Sequence, residues 1–379
     1  MNFLDHNATS PLDQRVLEAM LPYLQGQHGN PSSRHAAGRA ARTAIEQARE
    51  QVAAAVAAHP SQVVFTSGGT EADNFAIQGI CAALKPSQIV VSAIEHPAVM
   101  RPAQALLKRG WKLARIAVDG DGKLELASLE QALQQPTGLV SVMRANNETG
   151  VVQDIPAVAE LAKRHGAFVH TDAVQALGKI AVDFRVLGVH AMSLSAHKIG
   201  GPLGAGALVL DKRVDIQPLL YGGGQEKGLR SGSENIAAIV GFGAACALAQ
   251  RELASRAATM RSLRDQLEQG LHGRGAVIFG ERAERLPNIS FFAFPDLDGE
   301  TLVMALDRQG YAVASGSACS SDSTDPSPVL LAMGVAPELA RGAVRVSLGS
   351  GNTMEQVEGF LRTLDNELLK MKRMAAIAV

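Results

Sequence analysis

Residues 167–210 read AFVHTDAVQALGKIAVDFRVLGVHAMSLSAHKIGGPLGAGALVL. Short apolar runs recur in this stretch at Ala167–His170, Ala191–Ser195 and Ala205–Leu210. The first two end in polar groups, and a lysine followed by glycines separates the second from the third. Working upstream, Gln62–Thr66, Gln88–Ser92 and Leu139–Met143 are further strand-like runs, rich in β-branched residues. Helical patterns lie between them at Arg39–Ala58, Ala98–Arg109 and Ile155–His165. Strands alternating with helices predict an α/β fold with a mainly parallel sheet covered by helices.

Downstream, residues 233–272 read as one long or broken helical region. An extended run at Ile289–Phe294, a helix near Gly299–Gln309, a polar loop around 315–328, a strand at Ala343–Leu348 and a helix from Thr353 follow. This change of pattern predicts a second, smaller α+β domain. The expected division is a large domain over 15–255 and a small one formed by 1–14 and 256–379.

The chain has 379 residues, ample for a core that needs no disulfide or metal staples. Lys plus Arg number 36 against 37 Asp plus Glu, for a formal net charge of -1. That balance argues against a general grip on nucleic acid or an anionic membrane. No signal-peptide pattern opens the chain, and no charge-free apolar run of spanning length is apparent, so a cytoplasmic protein is expected. Cys81, Cys246 and Cys319 are far apart, without the spacing of a disulfide framework or thiolate zinc site. P-loop, dinucleotide-fingerprint, H-E-x-x-H and G-x-S-x-G patterns are also missing.

What remains is a set of polar groups at strand ends. Lys198, in Ser195-Ala196-His197-Lys198, is by default a solvated loop lysine, yet a partly desolvated amine at a strand end suits a Schiff-base role. Ser195 and His197 flank it and suit a phosphate. Asp172 is either a helix cap or the partner of a protonated pyridine nitrogen, with Gln175 close behind. Gly69 and Thr70, in Ser67-Gly68-Gly69-Thr70-Glu71, open a helix that either is simply capped or holds an anion. His96 follows a strand and is structural, or stacks on a ring and moves protons. Asn147 follows another strand end. In parallel α/β sheets ligands bind beyond the carboxyl ends of the strands, where these groups would converge.

Cys81 and Cys246 sit in alanine-rich helical patterns and fit buried thiols. Cys319, in Ser315-Gly316-Ser317-Ala318-Cys319-Ser320-Ser321, has small and polar neighbours and reads as a nucleophile on an exposed loop. Arg345 interrupts an apolar strand, either as a carboxylate clamp or as half of a structural ion pair.

In these motifs and their order the chain resembles the cysteine desulfurases, pyridoxal-phosphate enzymes of the class V aminotransferase family. The likeness adds Leu4-Asp5-His6-Asn7-Ala8-Thr9, Gly29-Asn30-Pro31-Ser32-Ser33 and Arg230-Ser231-Gly232-Ser233-Glu234-Asn235, and covers nearly the whole chain. The polar segment after Cys319 resembles the branch with a long catalytic-cysteine loop. The resemblance implies the PLP-transferase fold type I and pyridoxal 5′-phosphate held by Lys198. It also implies His96 on the ring, Asp172 at the pyridine nitrogen and Gln175 at the phenolic oxygen. Gly69, Thr70, Ser195 and His197 would hold the phosphate, with Ser233 reaching the other subunit's site in a homodimer. Asn147 would also lie at the cofactor and, with Arg345, would hold L-cysteine. Cys319 would take its sulfur as a persulfide and pass it to a protein acceptor, for iron–sulfur cluster assembly or tRNA thiolation. No resident metal is implied, although Cys319 would meet an iron–sulfur cluster during transfer.

The chain departs from the family at His6, where asparagine is frequent, at Ser233, where threonine is frequent, and at Leu203, where a lysine is frequent. Ser233 keeps a hydroxyl, and no catalytic group is lost. A selenocysteine lyase or another class V activity is the alternative enzyme reading. A non-enzymatic scaffold on the same fold would be expected to lose Lys198, Asp172 or Cys319.

Overall fold

A computed structural model describes residues 1–316 and 325–377. Its strands, in chain order, begin with β1 (Asn2–Phe3), β2 (Val63–Thr66), β3 (Gln88–Ser92), β4 (Lys112–Ile116) and β5 (Thr137–Ser141). They continue with β6 (Phe168–Asp172), β7 (Ala191–Ser195), β8 (Gly206–Leu210) and β9 (Val277–Ile278). The last are β10 (Ile289–Ala293), β11 (Tyr311–Ala312), β12 (Ala314–Ser315) and β13 (Ala343–Ser347).

The main sheet has seven strands in the order β2-β8-β7-β6-β5-β3-β4. Pairing is parallel from β7 through β6, β5 and β3 to β4, while β8 runs antiparallel to both its neighbours. Every residue of β2, β3, β7 and β8 is buried, as expected where helices cover both faces. Strand β4, Lys112–Ile116, escapes the sequence reading because it is an edge strand whose Lys112 and Arg115 are exposed. Strand β6 starts one residue later than expected and runs on to Asp172, so that carboxylate is fixed by the sheet itself.

Helix boundaries follow local capping chemistry. Asp13 accepts from the backbone N–H of Arg15 at the start of Gln14–Gln25, and Asp154 accepts from that of Ala157 at the start of Ile155–Arg164. Lys163 and Arg164 complete the latter's last turn, where positive charge opposes the helix dipole favourably. Asn235 caps one continuous helix, Ile236–His272. That helix is long and apolar enough to cross a membrane by composition, but its apolar stretch is half buried within the fold. It packs on Gln14–Gln25 and Ala36–Ala55.

The second sheet is antiparallel, ordered β12-β13-β10-β9, and β1 pairs in parallel with β11 beside it. Its core gathers Phe292, Val344, Leu302 and Phe360 with Leu4 from the N-terminus. The long helix serves both cores: Ala238 to Ala249 pack on the main sheet's side, and Leu263 to Leu271 pack in the second. The N-terminal segment leaves the second core at Leu4 and crosses to the main sheet, where Ser10 N donates to the His197 carbonyl at 2.8 Å. It therefore passes directly over the end of β7.

Candidate active site

A cavity of about 550 Å³ lies beyond the carboxyl ends of β2, β3, β5, β6 and β7. Each strand delivers one part of its wall. Lys198 closes a single helical turn, Ala196–Lys198, directly after β7. Its Nζ donates to the carbonyls of Asn7 and Ala8, both at 2.6 Å. The N-terminal segment thus holds the amine at the cavity wall.

Asp172 is the last residue of β6 and is buried. Its Oδ1 accepts from Val174 N at 2.8 Å. Burial raises the acid above its ordinary range, against the pull of His96, that backbone N–H and Lys198. A carboxylate in this position fits a cationic nitrogen. His96 caps the helix Pro97–Ala105, its Nδ1 accepting from Ala98 N at 3.1 Å. The neutral ring therefore carries its proton on Nε2, and burial keeps the pKa below the usual imidazole value.

The opposite end suits an anion. Gly69 and Thr70 begin a helix after β2, and Gly69 has no room for a side chain, since a Cβ would come within 2.8 Å of Val174 Cγ2. At Gly206 a Cβ would stand 2.6 Å from the carbonyl carbon of Gly68, so close strand packing requires glycine there. Ser195 lines the cavity with a buried Oγ that has no hydrogen-bond partner among the described residues. His197 Nδ1 lies 3.1 Å from Thr9 Oγ1, and burial with nearby Lys198 and Lys179 pushes its pKa down to about 4. A neutral imidazole, an orphaned hydroxyl and a helix start together would suit a phosphate.

Asn147, on the turn after β5, and Arg345, on β13 of the second sheet, complete the wall. Arg345 is half of a structural ion pair, with Asp5 Oδ1 at 2.8 Å, and donates to the Asn147 carbonyl at 3.0 Å while lining the cavity. Its Nε is buried with no hydrogen-bond partner among the described residues. Gln175 also lines the cavity, its Nε2 donating to the Asn7 carbonyl at 3.0 Å. Ser233 stands apart, exposed and outside this cavity in the single chain. Cys319 lies outside the described residues.

Several participants escape the sequence reading. Asp73 projects from the helix that begins at Gly69 into the cavity wall, 2 % exposed; its buried Oδ1 lies 3.6 Å from His170 Nε2 and has no hydrogen-bond partner among the described residues. Burial and the charge of Asp172 raise its pKa well above normal. Its one signal in sequence is an acid in Ala72-Asp73-Asn74-Phe75-Ala76-Ile77, just before an apolar run. Glu95 is buried behind His96, bonded to Ser92 Oγ and Met143 N, with a pKa raised to about 8 by burial. Asn7 stands in a quoted motif but carried no assigned role, and Lys179 gave no signal.

The aminotransferase class-V profile matches residues 2–360. A cysteine desulfurase of Cereibacter sphaeroides is 46 % identical, the match covering 96 % of this chain and 94 % of the relative. The cysteine desulfurase IscS of Dictyoglomus turgidum is 42 % identical, over 98 % of this chain and 95 % of its own. Among solved structures, a NifS-like protein superposes with a TM-score of 0.92 at 38 % identity, covering 97 % of this chain and 99 % of that one. Sequence likeness over nearly the full length, on the same architecture, makes the chain a member of the class-V aminotransferase family, in its cysteine desulfurase branch.

Proposed function

We propose that the protein is a pyridoxal 5′-phosphate-dependent cysteine desulfurase, converting L-cysteine to L-alanine and passing the sulfur through Cys319 to a protein acceptor such as an iron–sulfur scaffold. The observation that carries this reading is the convergence of Lys198, Asp172 and the orphaned Ser195 hydroxyl on one cavity from adjacent strands. Lys198 would hold the cofactor, Asp172 its ring nitrogen and Gln175 its phenolic oxygen, while His96 would lie on the ring. Gly69, Thr70, Ser195 and His197 would take the phosphate, joined by Ser233 from a second copy of the chain. When bound, the cofactor supplies an electron sink for charge at the substrate's α-carbon.

The chain's own residues supply the rest. Arg345 and Asn147 orient the substrate carboxylate, and Lys198 moves the α-proton. His96 offers its Nε2 proton. Cys319, as thiolate, attacks the substrate sulfur; the substrate's carbon–sulfur bond breaks, its electron pair stays on the β-carbon, and that carbon takes a proton to give alanine. Cys319 keeps the sulfur as a persulfide. A homodimer in the cytoplasm is part of the same proposal. Purified protein should be yellow, and Cys319→Ala should keep the colour but lose alanine formation. Full turnover of L-cysteine by that variant would remove the persulfide step.

A further inference from the structure

Lys179 is 5 % exposed, and the charges acting on it, Lys198 and Arg345, are both repulsive. Burial and those charges drive the amine toward its neutral form; even a neutral amine is costly to bury without hydrogen-bond acceptors, and an apolar residue would fill the same space more cheaply. What Lys179 has instead is two short contacts, with Gln175 Oε1 at 2.7 Å and Asn7 Oδ1 at 2.9 Å.

Both amides are oriented independently of the lysine. Gln175 Nε2 donates to the Asn7 carbonyl at 3.0 Å, and Asn7 Nδ2 donates to the Asn147 carbonyl at 3.2 Å. Asn288 Nδ2 donates to the Leu348 carbonyl at 3.1 Å and to Asn7 Oδ1 at 3.0 Å. A main-chain carbonyl accepts only, so each amide nitrogen is identified, and the atoms facing Lys179 are oxygens. The amine can only donate to them. Asn7 is thereby the meeting point of both lobes: its carbonyl receives Lys198 Nζ at 2.6 Å, and its N–H donates to Ser347 Oγ at 2.9 Å.

We infer that Lys179 is a positioning residue of this site: its amine ties Gln175 and Asn7 into one unit that presents Gln175 to the cofactor ring and the Asn7 carbonyl to Lys198. Gln175 spends one N–H on Asn7 and keeps the second, at a residue that lines the cavity. Without Lys179, two buried amide oxygens lose a donor and the glutamine loses its brace. The inference rests on the cofactor assignment proposed above.

The test is a pH titration of the visible absorbance of the loaded enzyme. Lys179→Met should raise the midpoint by about one pH unit, the size expected when one hydrogen-bonded donor beside the chromophore is released. Gln175→Leu should shift it the same way, and the double variant should shift no further than the larger single one. Lys179→Gln, which keeps an NH₂ donor on a shorter arm, should fall between Met and the parent. An unchanged midpoint in a folded Lys179 variant, or strictly additive shifts, overturns the inference. Loss of folding in both Lys179 variants also overturns it, by making the lysine a residue of the core alone. A parent protein that shows no cofactor absorbance counts against the cofactor assignment instead.

Discussion

Glu148 accepts a hydrogen bond from the hydroxyl of Ser327, and both side chains are buried. Ser327 also caps the helix Pro328–Ala332, its Oγ accepting from Leu330 N at 3.2 Å. The turn that carries Asn147 is thus joined to the start of that helix.

Burial raises the Glu148 carboxyl to about 7, against the pull of Ser327 and Arg345. The unfolded chain releases this proton at an ordinary carboxylate pKa, while the folded protein keeps it to near neutrality. Its contribution to stability is therefore complete below pH 4.5, the ordinary value, and declines as pH rises to about 7. Glu148→Gln should flatten the stability profile across that window, by on the order of 3 kcal/mol at pH 8. Urea unfolding at pH 5 and pH 8 checks it, and parallel curves for parent and variant would refute it.

Asp172→Asn keeps the acceptor for Val174 N but removes a buried carboxyl whose own desolvation is costly and whose charge acts unfavourably on Asp73 and Glu95. The cofactor-free variant should melt a few degrees higher than its parent, consistent with about 1 kcal/mol. Its kcat/KM for L-cysteine should fall by about 100-fold or more. Calorimetry and alanine assays read the two effects separately.

Glu226 accepts from both terminal guanidinium nitrogens of Arg49, at 2.7 and 2.8 Å, and from Phe65 N at 2.8 Å, within the core beside β2. Glu226→Ala removes the buried carboxylate from Arg49 and leaves it the exposed Glu46 and the Val63 carbonyl, for a loss of roughly 3 kcal/mol. A midpoint in urea unchanged from the parent would contradict this.

Arg345→Lys replaces a planar fork with a single ammonium. The pairing with Asp5 and the contact with the Asn147 carbonyl cannot both be kept at their present geometry. KM for L-cysteine should rise by about tenfold or more with a smaller change in kcat. Equal falls in kcat and kcat/KM would assign the arginine to the transition state instead.

The alternation of strands and helices, read from short apolar runs, determined that a mainly parallel covered sheet forms. It also determined that Lys198, Asp172, His96 and Asn147 lie at or just after strand ends, because in such a sheet the polar residues there have one edge on which to gather. The tertiary structure decided how those residues are held. Asn7 and Lys198 are 191 positions apart, yet the N-terminal segment brings its carbonyl to the lysine amine. Strand β4 was hidden by its edge charges, and the antiparallel entry of β8 could not be read from a strand's own pattern, which does not encode direction. Buried polar groups such as Lys179, Asp73 and Glu148 were equally hidden, because no local spacing marks a charge whose partners come from distant segments. Their roles follow from desolvation and hydrogen bonding, and those exist only after the chain has closed around them.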